Sequence, residues 1–266
     1  MYKEIVIARD ALKRPVKIAV GDKLMVLVSG QSGSGKSELA KTICLESMRV
    51  MRDNFALVVL DAKIVSFLGY DARAEVFTDI AQFKLVLDSL YSEMLRRYQS
   101  MRENGTSRFE VSKENPFILL CIEEISAITS DQTLTKTERD HIVARIKSLS
   151  SRMRQAGMGL LVVTQSADTT AVPSEVRNNL DIRIAMKCGN QQAANMATGD
   201  RAEEAPAQLL NLPGEAYAIT NCTQGRFVRC RGILTSEVDE QRTIAQYASE
   251  KPHLACFDWD SPEYTG

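Results

Sequence analysis

The segment Gly30-Gln31-Ser32-Gly33-Ser34-Gly35-Lys36-Ser37 decides the fold of this chain of 266 residues. It fits the pattern GxxxxGK[ST] and stands between an apolar run, residues 23–29, and a segment of helical composition, residues 38–48. A phosphate-binding loop requires that strand-loop-helix context, because backbone N–H groups of the turn and of the helix start surround the phosphate. The alternative is a flexible Gly/Ser turn, but the pattern arises by chance in only about one chain in a hundred of this length.

The loop predicts a nucleotide site for ATP and Mg²⁺. Lys36 would hold the β- and γ-phosphates, and Ser37 would ligate the metal ion. The predicted nucleotide-binding residues are Gly30, Gln31, Ser32, Gly33, Ser34, Gly35, Lys36, Ser37 and Glu38.

Short apolar runs alternate along the chain with longer segments of helical period. This alternation is typical of an α/β protein with a mainly parallel central sheet flanked by helices, here in a single domain. The predicted strands are residues 23–29, 56–61, 117–122, 159–164, 182–187 and 216–220. Beyond the phosphate-binding loop, helices are predicted over residues 83–101, over 142–153 with Gly157 as the cap, and after Ser236; residues 104–116 and 166–179 are predicted loops.

Two acids, Glu123 and Glu124, end the apolar run 117–122. Ligands of parallel sheets sit at the carboxyl ends of the strands, so both side chains would lie beside the phosphate-binding loop. Glu123 would reach Mg²⁺ through water, and Glu124 would orient or deprotonate the attacking water. The competing interpretation is a pair of solvated acids that open the next helix.

Thr164 and Gln165 follow the apolar run 159–163 in the same way. Gln165 both donates and accepts hydrogen bonds, which suits a residue that senses the γ-phosphate or holds the water. Ordinary turn chemistry at a strand end remains the alternative.

The composition is that of a folded globular protein. Apolar residues make up 44% of the chain, and 33 basic residues nearly balance 34 acidic ones. The apolar content excludes disorder. The near-zero net charge excludes a generally basic surface, but it allows basic groups concentrated on a few loops. No apolar run approaches the roughly 18 residues that span a bilayer, and the six cysteines show no CxxC pair. We expect reduced thiols and a cytoplasmic location, with any membrane association arising through other domains or partners.

The order of the motifs resembles the motor domain of the FtsK/SpoIIIE family, within the HerA/FtsK superfamily. The resemblance rests on GQSGSGKS, VVLDAK, SEMLRRYQSM, ILLCIEE, SRMRQAGMGLLVVTQS, VRNNLDIRIAMK and LPGEAYAI, and it covers residues 6–250. It implies a RecA-like motor domain over residues 1–250 and an irregular tail over 251–266. It also implies a hexameric ring of identical subunits that hydrolyses ATP between subunits and drives double-stranded DNA through its centre.

The resemblance adds an arginine finger. Arg154 matches the family's arginine that reaches the neighbouring subunit's γ-phosphate, with Arg152 and Arg183 as the other candidates. A guanidinium supplied in trans makes hydrolysis depend on assembly. The alternative for Arg154 is a solvated basic helix end. Asp61 and Lys63 also resemble an Asp-x-Lys pair of the family, to which the sequence assigns no role.

Three basic residues are candidates for contacting DNA. Arg177 falls where the family presents a basic residue to the pore, while Arg108 and Lys113 lie in the predicted loop 104–116. Their contacts to phosphates would be independent of sequence and dependent on salt. Each could equally be an ordinary surface charge.

Larger family members carry membrane helices and a further domain before the motor, and a winged-helix DNA reader after it. We therefore expect either an excised motor or a minimal motor that moves chromosomal or plasmid DNA or serves conjugation, with membrane-anchored conjugation or secretion machinery as partner. Two other functions stay open. Type VII secretion ATPases of the same superfamily move proteins. A nucleotide-binding assembly or regulatory module with weak hydrolysis would fit the pair Glu123-Glu124, which stands where Asp-Glu is usual.

Overall fold

The computed structural model describes residues 3–21, 24–129, 131–165 and 171–259, and a ten-stranded sheet runs through them. The strands are β1 (Lys3–Asp10), β2 (Pro15–Val20), β3 (Met25–Ser29), β4 (Phe55–Asp61), β5 (Glu75–Phe77), β6 (Phe117–Glu123), β7 (Met158–Thr164), β8 (Ile182–Met186), β9 (Glu215–Ile219) and β10 (Val228–Gly232). Their order across the sheet is β2-β1-β10-β9-β8-β3-β7-β6-β4-β5.

The part of the sheet from β8 to β5 is parallel. Every residue of β3, β4, β6 and β7 is buried, as expected for strands covered on both faces. The strands predicted from apolar runs are thus confirmed, and so is the predicted α/β class with its central sheet. Residue 23, the start of the first predicted run, lies outside the described residues.

Antiparallel pairs extend this parallel region. β9 pairs antiparallel with β8 and with β10, and the β1-β2 hairpin joins through β10. The sequence prediction missed β1, β2, β5 and β10, in each of which charged residues flank or interrupt a short apolar stretch. The outer side of β2 is covered by Asn221, whose side chain accepts from the N–H of Ala19 and donates to its carbonyl, each over 2.9 Å.

The helices are α1 (Lys36–Met51), α2 (Ile80–Glu103), α3 (Ile125–Thr129), α4 (Lys136–Arg152), α5 (Ser174–Asn178), α6 (Gln191–Thr198) and α7 (Glu237–Tyr247), with short 3-10 turns at Arg52–Asn54, Tyr70–Ala72, Ala207–Leu209, Ala248–Glu250 and Ala255–Phe257. Local signals start several of them. Thr135 and Glu138 form a capping box for α4, and the Ser236 side chain accepts from the N–H of Asp239. The predicted helix after Ser236 is confirmed.

Two of the predictions need correction. α4 ends at Arg152 with Met153 as its cap, so Gly157 closes a following turn and not the helix itself. The predicted loop 166–179 contains α5, while its residues 166–170 lie outside the described part of the chain. The loop 104–116 is irregular, as predicted.

The helices cover the two faces of the sheet. Alternate residues of β4 point to opposite faces: Leu57 packs in one apolar cluster with Ile43 of α1, and Val58 packs in the other with Phe83 of α2 and Ile142 of α4. α1 begins at Lys36, shortly after the end of the parallel strand β3, and so starts at the carboxyl edge of the sheet, where the site lies.

The described part of the predicted tail packs against the domain. The 3-10 turn Ala255–Phe257 and Trp259 meet Phe77 in a cluster of three rings. The indole N–H of Trp259 donates to the hydroxyl of Ser89 on α2 over 3.0 Å. Residues 260–266 lie outside the described residues.

Candidate functional site

The parallel strands deliver the predicted site residues to one edge of the sheet. β3 leads into the phosphate-binding loop, β6 ends at Glu123, and β7 ends at Thr164. Asp61, at the end of β4, stands in register with Glu123. The structure thus brings together the glycine-rich loop, the two acids and the Thr164-Gln165 pair, which are far apart in the sequence.

The phosphate-binding loop is held by backbone hydrogen bonds from both sides. Gly30 N–H donates to Thr164 O over 3.3 Å, Gln31 N–H to Lys187 O over 2.7 Å, and Gly214 N–H to Ser34 O over 2.8 Å. Gly35 caps α1 with a φ of 98°, a conformation that glycine adopts without strain. The unpaired first N–H groups of α1 therefore begin at this loop, where an anion would be favoured.

Gly30 leaves no room for a side chain. A Cβ at this position would stand 2.9 Å from Met186 Cβ and 3.1 Å from Lys187 O. We expect Gly30→Ala to displace the loop, to weaken ATP binding, and to lower the free energy of unfolding by about 1–3 kcal/mol. Isothermal titration and thermal melting measure the two effects. Gly189→Ala is the control because its Cβ would enter open space; equal behaviour of the two variants would contradict the prediction.

Ser37 and Glu123 form a set of oxygen ligands that fits Mg²⁺. The Ser37 hydroxyl donates to Glu123 Oε1 over 2.6 Å. Glu123 Oε2 is buried and has no hydrogen-bond partner among the described residues, so one oxygen is available to a cation or its water. Burial raises the pKa of Glu123, an effect that Ser37 and Lys63 partly oppose. A hard cation would restore the ionised form.

Glu124 has the geometry and charge of a general base. Its φ of 63° is unusual for a residue with a side chain. Its Oε1 accepts from the Gln165 N–H over 3.1 Å and the Thr164 hydroxyl over 3.3 Å, and from the Ser126 hydroxyl. Burial acts to raise the pKa of Glu124, but the hydrogen bonds from Ser126 and Gln165 and the nearby Lys63 outweigh it and lower the pKa. The carboxylate is therefore ionised at neutral pH.

Lys63 connects the two acids, a role that sequence reasoning missed. Its Nζ lies 3.4 Å from Glu123 Oε1 and 3.3 Å from Glu124 Oε2. Asp61 shapes the turn that carries Lys63, because its carboxylate accepts from the N–H groups of Lys63 and Ser66 over 3.1 and 2.8 Å. The resemblance had marked this Asp-x-Lys pair, and the adjacency of β4 and β6 explains why Lys63 meets the acids.

Lys36 and the side chain of Gln165 complete this edge. The Lys36 ammonium is buried beside the loop and donates to Gln31 O over 3.0 Å. Burial lowers the pKa of Lys36, against the opposing attraction of Glu124. The side chain of Gln165 is exposed, so its amide can reach a ligand from the solvent side.

A cleft of about 260 Å³ adjoins the phosphate-binding loop. It is lined mainly by apolar groups, among them Leu39, Pro213 and Met186, and it also contains Glu38 and Arg231. An apolar cleft with a few polar groups is the usual setting for a flat organic ligand. It could hold the base of a nucleotide whose phosphates lie on the loop.

Arg154 lies at the opposite edge of the sheet. It precedes β7 and lines a cleft of about 410 Å³ with residues that precede other parallel strands, such as Gly21 and Asn54. Its guanidinium pairs with Asp181 over 2.5 Å. Arg154 therefore lies apart from the predicted catalytic residues of its own chain.

The other two candidate arginines hold contacts within the chain. Arg183 Nη2 donates to the carbonyl of Arg177 over 3.0 Å, and the Arg152 guanidinium lies over the ring of Tyr98.

Arg108 lines the same cleft as Arg154. Lys113, further along the 104–116 loop, is exposed and lies 3.8 Å from Asp53. Arg177 lies in the last turn of α5, which leads toward the start of β8. The three candidate DNA contacts thus belong to segments that precede parallel strands, on the side away from the phosphate-binding loop.

Within the described ranges, no group of three or more His, Cys, Asp or Glu side chains could by itself hold a metal ion. None of the helices in this part of the chain combines the length and apolar character needed to cross a membrane.

The fold and the carboxyl-edge site together define a P-loop ATPase domain. A profile of the FtsK/SpoIIIE family matches residues 5–216. The chain therefore belongs to the FtsK/SpoIIIE family.

Curated relatives include the DNA translocase FtsK of Staphylococcus epidermidis, which is 24% identical over an alignment of 276 residues that covers 94% of this chain and 34% of the relative. The DNA translocase FtsK of Treponema pallidum is also 24% identical, with 98% of this chain and 32% of the relative covered. The chain thus spans about a third of the length of these relatives.

Two solved structures share the fold. The pCW3 conjugation coupling protein TcpA, in a monomer form with ATPγS, has a TM-score of 0.76 at 18% identity, covering 92% of this chain and 71% of that one. The cytoplasmic domain of the Thermomonospora curvata type VII secretion ATPase EccC has a TM-score of 0.76 at 20% identity, covering 94% of this chain and 32% of that one.

Proposed function

We propose that this chain is an ATP-hydrolysing motor that moves double-stranded DNA, acting as a hexameric ring in the cytoplasm with residues 1–250 as the motor domain. The observation that carries the proposal is the position of the Glu124 carboxylate, which accepts hydrogen bonds from Thr164 and Gln165 at the edge where the phosphate-binding loop leads into α1. Family membership supplies the link to DNA.

The site residues divide the work of hydrolysis. The loop N–H groups and Lys36 bind the phosphates, and Ser37 with Glu123 would hold Mg²⁺, which supplies positive charge beside the phosphate oxygens. Glu124 accepts a proton from the attacking water, and Gln165 orients that water. Arg154 of one subunit would stabilise the transition-state charge on the nucleotide of its neighbour. This explains why Arg154 lies at the edge opposite its own loop.

The test is the steady-state ATPase rate with and without long double-stranded DNA, over a range of protein and salt concentrations. We expect stimulation by DNA that rises cooperatively with protein concentration and fades with salt. Turnover that DNA does not change would refute the DNA motor.

Protein translocation is the second candidate function, and the observation that favours it is the fold shared with the type VII secretion ATPase EccC. It predicts stimulation by a secreted polypeptide and none by DNA. Binding of ATP with negligible turnover under both conditions would instead indicate a regulatory module.

The basic residues of the 104–116 loop should contribute to the salt dependence of DNA binding. Removing the two charges with Arg108→Ser and Lys113→Ser should reduce the slope of log K against log salt by about one unit per residue. Fluorescence anisotropy at several salt concentrations measures the slope. Arg14→Ser, at the exposed tip of the β1-β2 hairpin, is the control for loss of a charge; equal slopes for loop and hairpin variants would exclude the loop.

A further inference from the structure

We propose that Arg97 and Tyr98, two consecutive residues of α2, position Arg154 and couple it to the 104–116 loop. The turn that carries Arg154, residues 153–157, is called the arginine turn below. The inference rests on the proposed function, in which Arg154 acts on a neighbouring subunit and the loop meets DNA. It gives a role to the Arg97-Tyr98 pair of the SEMLRRYQSM helix, which the nucleotide chemistry leaves unused.

Arg97 forms hydrogen bonds with the arginine turn. Its side chain is 1% exposed, and its Nε donates to Glu93 Oε1 over 2.6 Å, so the buried charge is paired. Nη1 donates to the carbonyls of Ala156 and Gly157 over 3.0 and 3.2 Å. Nη2 donates to Pro116 O over 2.9 Å, at the end of the 104–116 loop. One fixed fork therefore joins the arginine turn to the segment that leads into β6.

Tyr98 holds the residues on both sides of Arg154. Its hydroxyl donates to Arg152 O over 2.8 Å and lies 3.1 Å from Gln155 Oε1. The Arg154 side chain itself remains 43% exposed. Tyr98 thus holds the chain two residues before Arg154 and the side chain of the residue after it, while the Arg154 guanidinium, paired with Asp181, remains partly exposed to another molecule.

Phe109 connects the loop to this assembly. Its N–H donates to Gln155 O over 3.1 Å, and its ring lies 4.5 Å from the Arg97 guanidinium carbon. A Cβ on Gly157 would stand 3.2 Å from the Phe109 ring, so the glycine permits the close packing of loop on turn.

The cleft of about 410 Å³ brings the two ends of the link together. Arg108, next to Phe109, and Arg154 both line it, as does Gln155. A displacement of the loop by a bound polyanion is transmitted to Gln155 through the Phe109 hydrogen bond, and so to Arg154. The coupling is measured by the function of Arg154 in trans.

Complementation between inactive subunits separates positioning from folding. Lys36→Ala lacks the phosphate-binding cation but retains Arg154, whereas Arg154→Ala retains the loop but lacks the finger. Mixed assemblies should recover ATPase activity where the two meet. Adding Tyr98→Phe to the Lys36→Ala subunit should then lower the recovered kcat by about tenfold with the KM for ATP unchanged. Adding it to the Arg154→Ala subunit should change the recovered kcat by less than about twofold.

The outcomes distinguish the inference from the proposed function. No recovery in the parent mixture would overturn the trans role of Arg154, and this inference with it. Recovery that Tyr98→Phe lowers equally in either subunit, or in neither, would overturn the inference alone. Tyr98→Phe keeps the ring that packs under Arg152, so thermal melting should show a folded protein; Arg97→Lys, which retains charge but not the fork, should repeat the same subunit asymmetry.

The link to the loop has its own readout. Phe109→Leu should reduce the ratio of kcat with saturating DNA to kcat without DNA, because the ring between loop and arginine turn is lost. An unchanged ratio at saturating DNA would remove Phe109 from the coupling.

Discussion

Arg154→Ala should lower the kcat for ATP hydrolysis by about 10³-fold or more, the loss associated with an arginine finger in phosphoryl transfer. ATP binding should persist with little change in Kd. Binding persists because Arg154 precedes β7, whereas the phosphate-binding loop of the same chain follows β3 at the opposite edge of the sheet. Single-turnover hydrolysis and nucleotide titration measure the two quantities.

Arg152→Ala provides a matched control for this variant. Arg152 is a neighbouring arginine whose guanidinium lies over the Tyr98 ring and outside the Arg154-Asp181 pair. We expect it to change kcat far less than Arg154→Ala. A decrease in kcat of equal size in both variants would indicate a general effect of the α4 end. Unchanged hydrolysis in Arg154→Ala would exclude Arg154 as the finger.

Glu124→Gln should reduce hydrolysis by about 10²- to 10⁴-fold, the range attributed to a positioned general base. The variant should still bind ATP, because the loop and Lys36 are untouched. It should also fold, since a glutamine carbonyl oxygen can accept the hydrogen bonds that Glu124 Oε1 receives from Thr164 and Gln165. ATP should therefore accumulate as a stable complex, which filter binding and product release can follow.

Glu203→Gln, an exposed acid far along the chain, is the control for charge removal. We expect it to hydrolyse ATP at the parental rate. If Glu124→Gln also turned over at that rate, the base would have to be another group. Glu123→Gln tests the metal role separately: it should raise the Mg²⁺ concentration that gives half-maximal hydrolysis, because the carboxylate beside Ser37 is replaced by a neutral amide.

The sequence predicted the parts of this site that depend on local pattern. The GxxxxGK[ST] loop, the acids after an apolar run and Thr164-Gln165 all lie at strand ends, and parallel strands bring their ends together whatever the details of packing. The opposite placement of Arg154 also follows from order along the chain, since it comes before its strand and not after it.

The remaining features depend on contacts that local pattern does not encode. The positive φ of Glu124 arises where β6 passes into α3. A glutamate at this position gives no indication of that backbone conformation. Lys63 reaches the acids only because β4 and β6 are neighbours. The sequence pattern predicts Arg97 to be an ordinary basic residue of an amphipathic helix. In the structure its guanidinium donates hydrogen bonds to three carbonyls from distant segments.

The contact between Asn221 and Ala19 has a consequence for how copies of the chain can associate. An uncovered edge strand can recruit a further strand from another molecule and start open-ended aggregation. Here the amide of Asn221 occupies both backbone groups of Ala19 on the outer side of β2, and at the far edge β5 has only three residues. Neither margin offers a long template for strand addition. Within the described residues, association of copies by continuing the sheet into fibrils is therefore disfavoured at both edges.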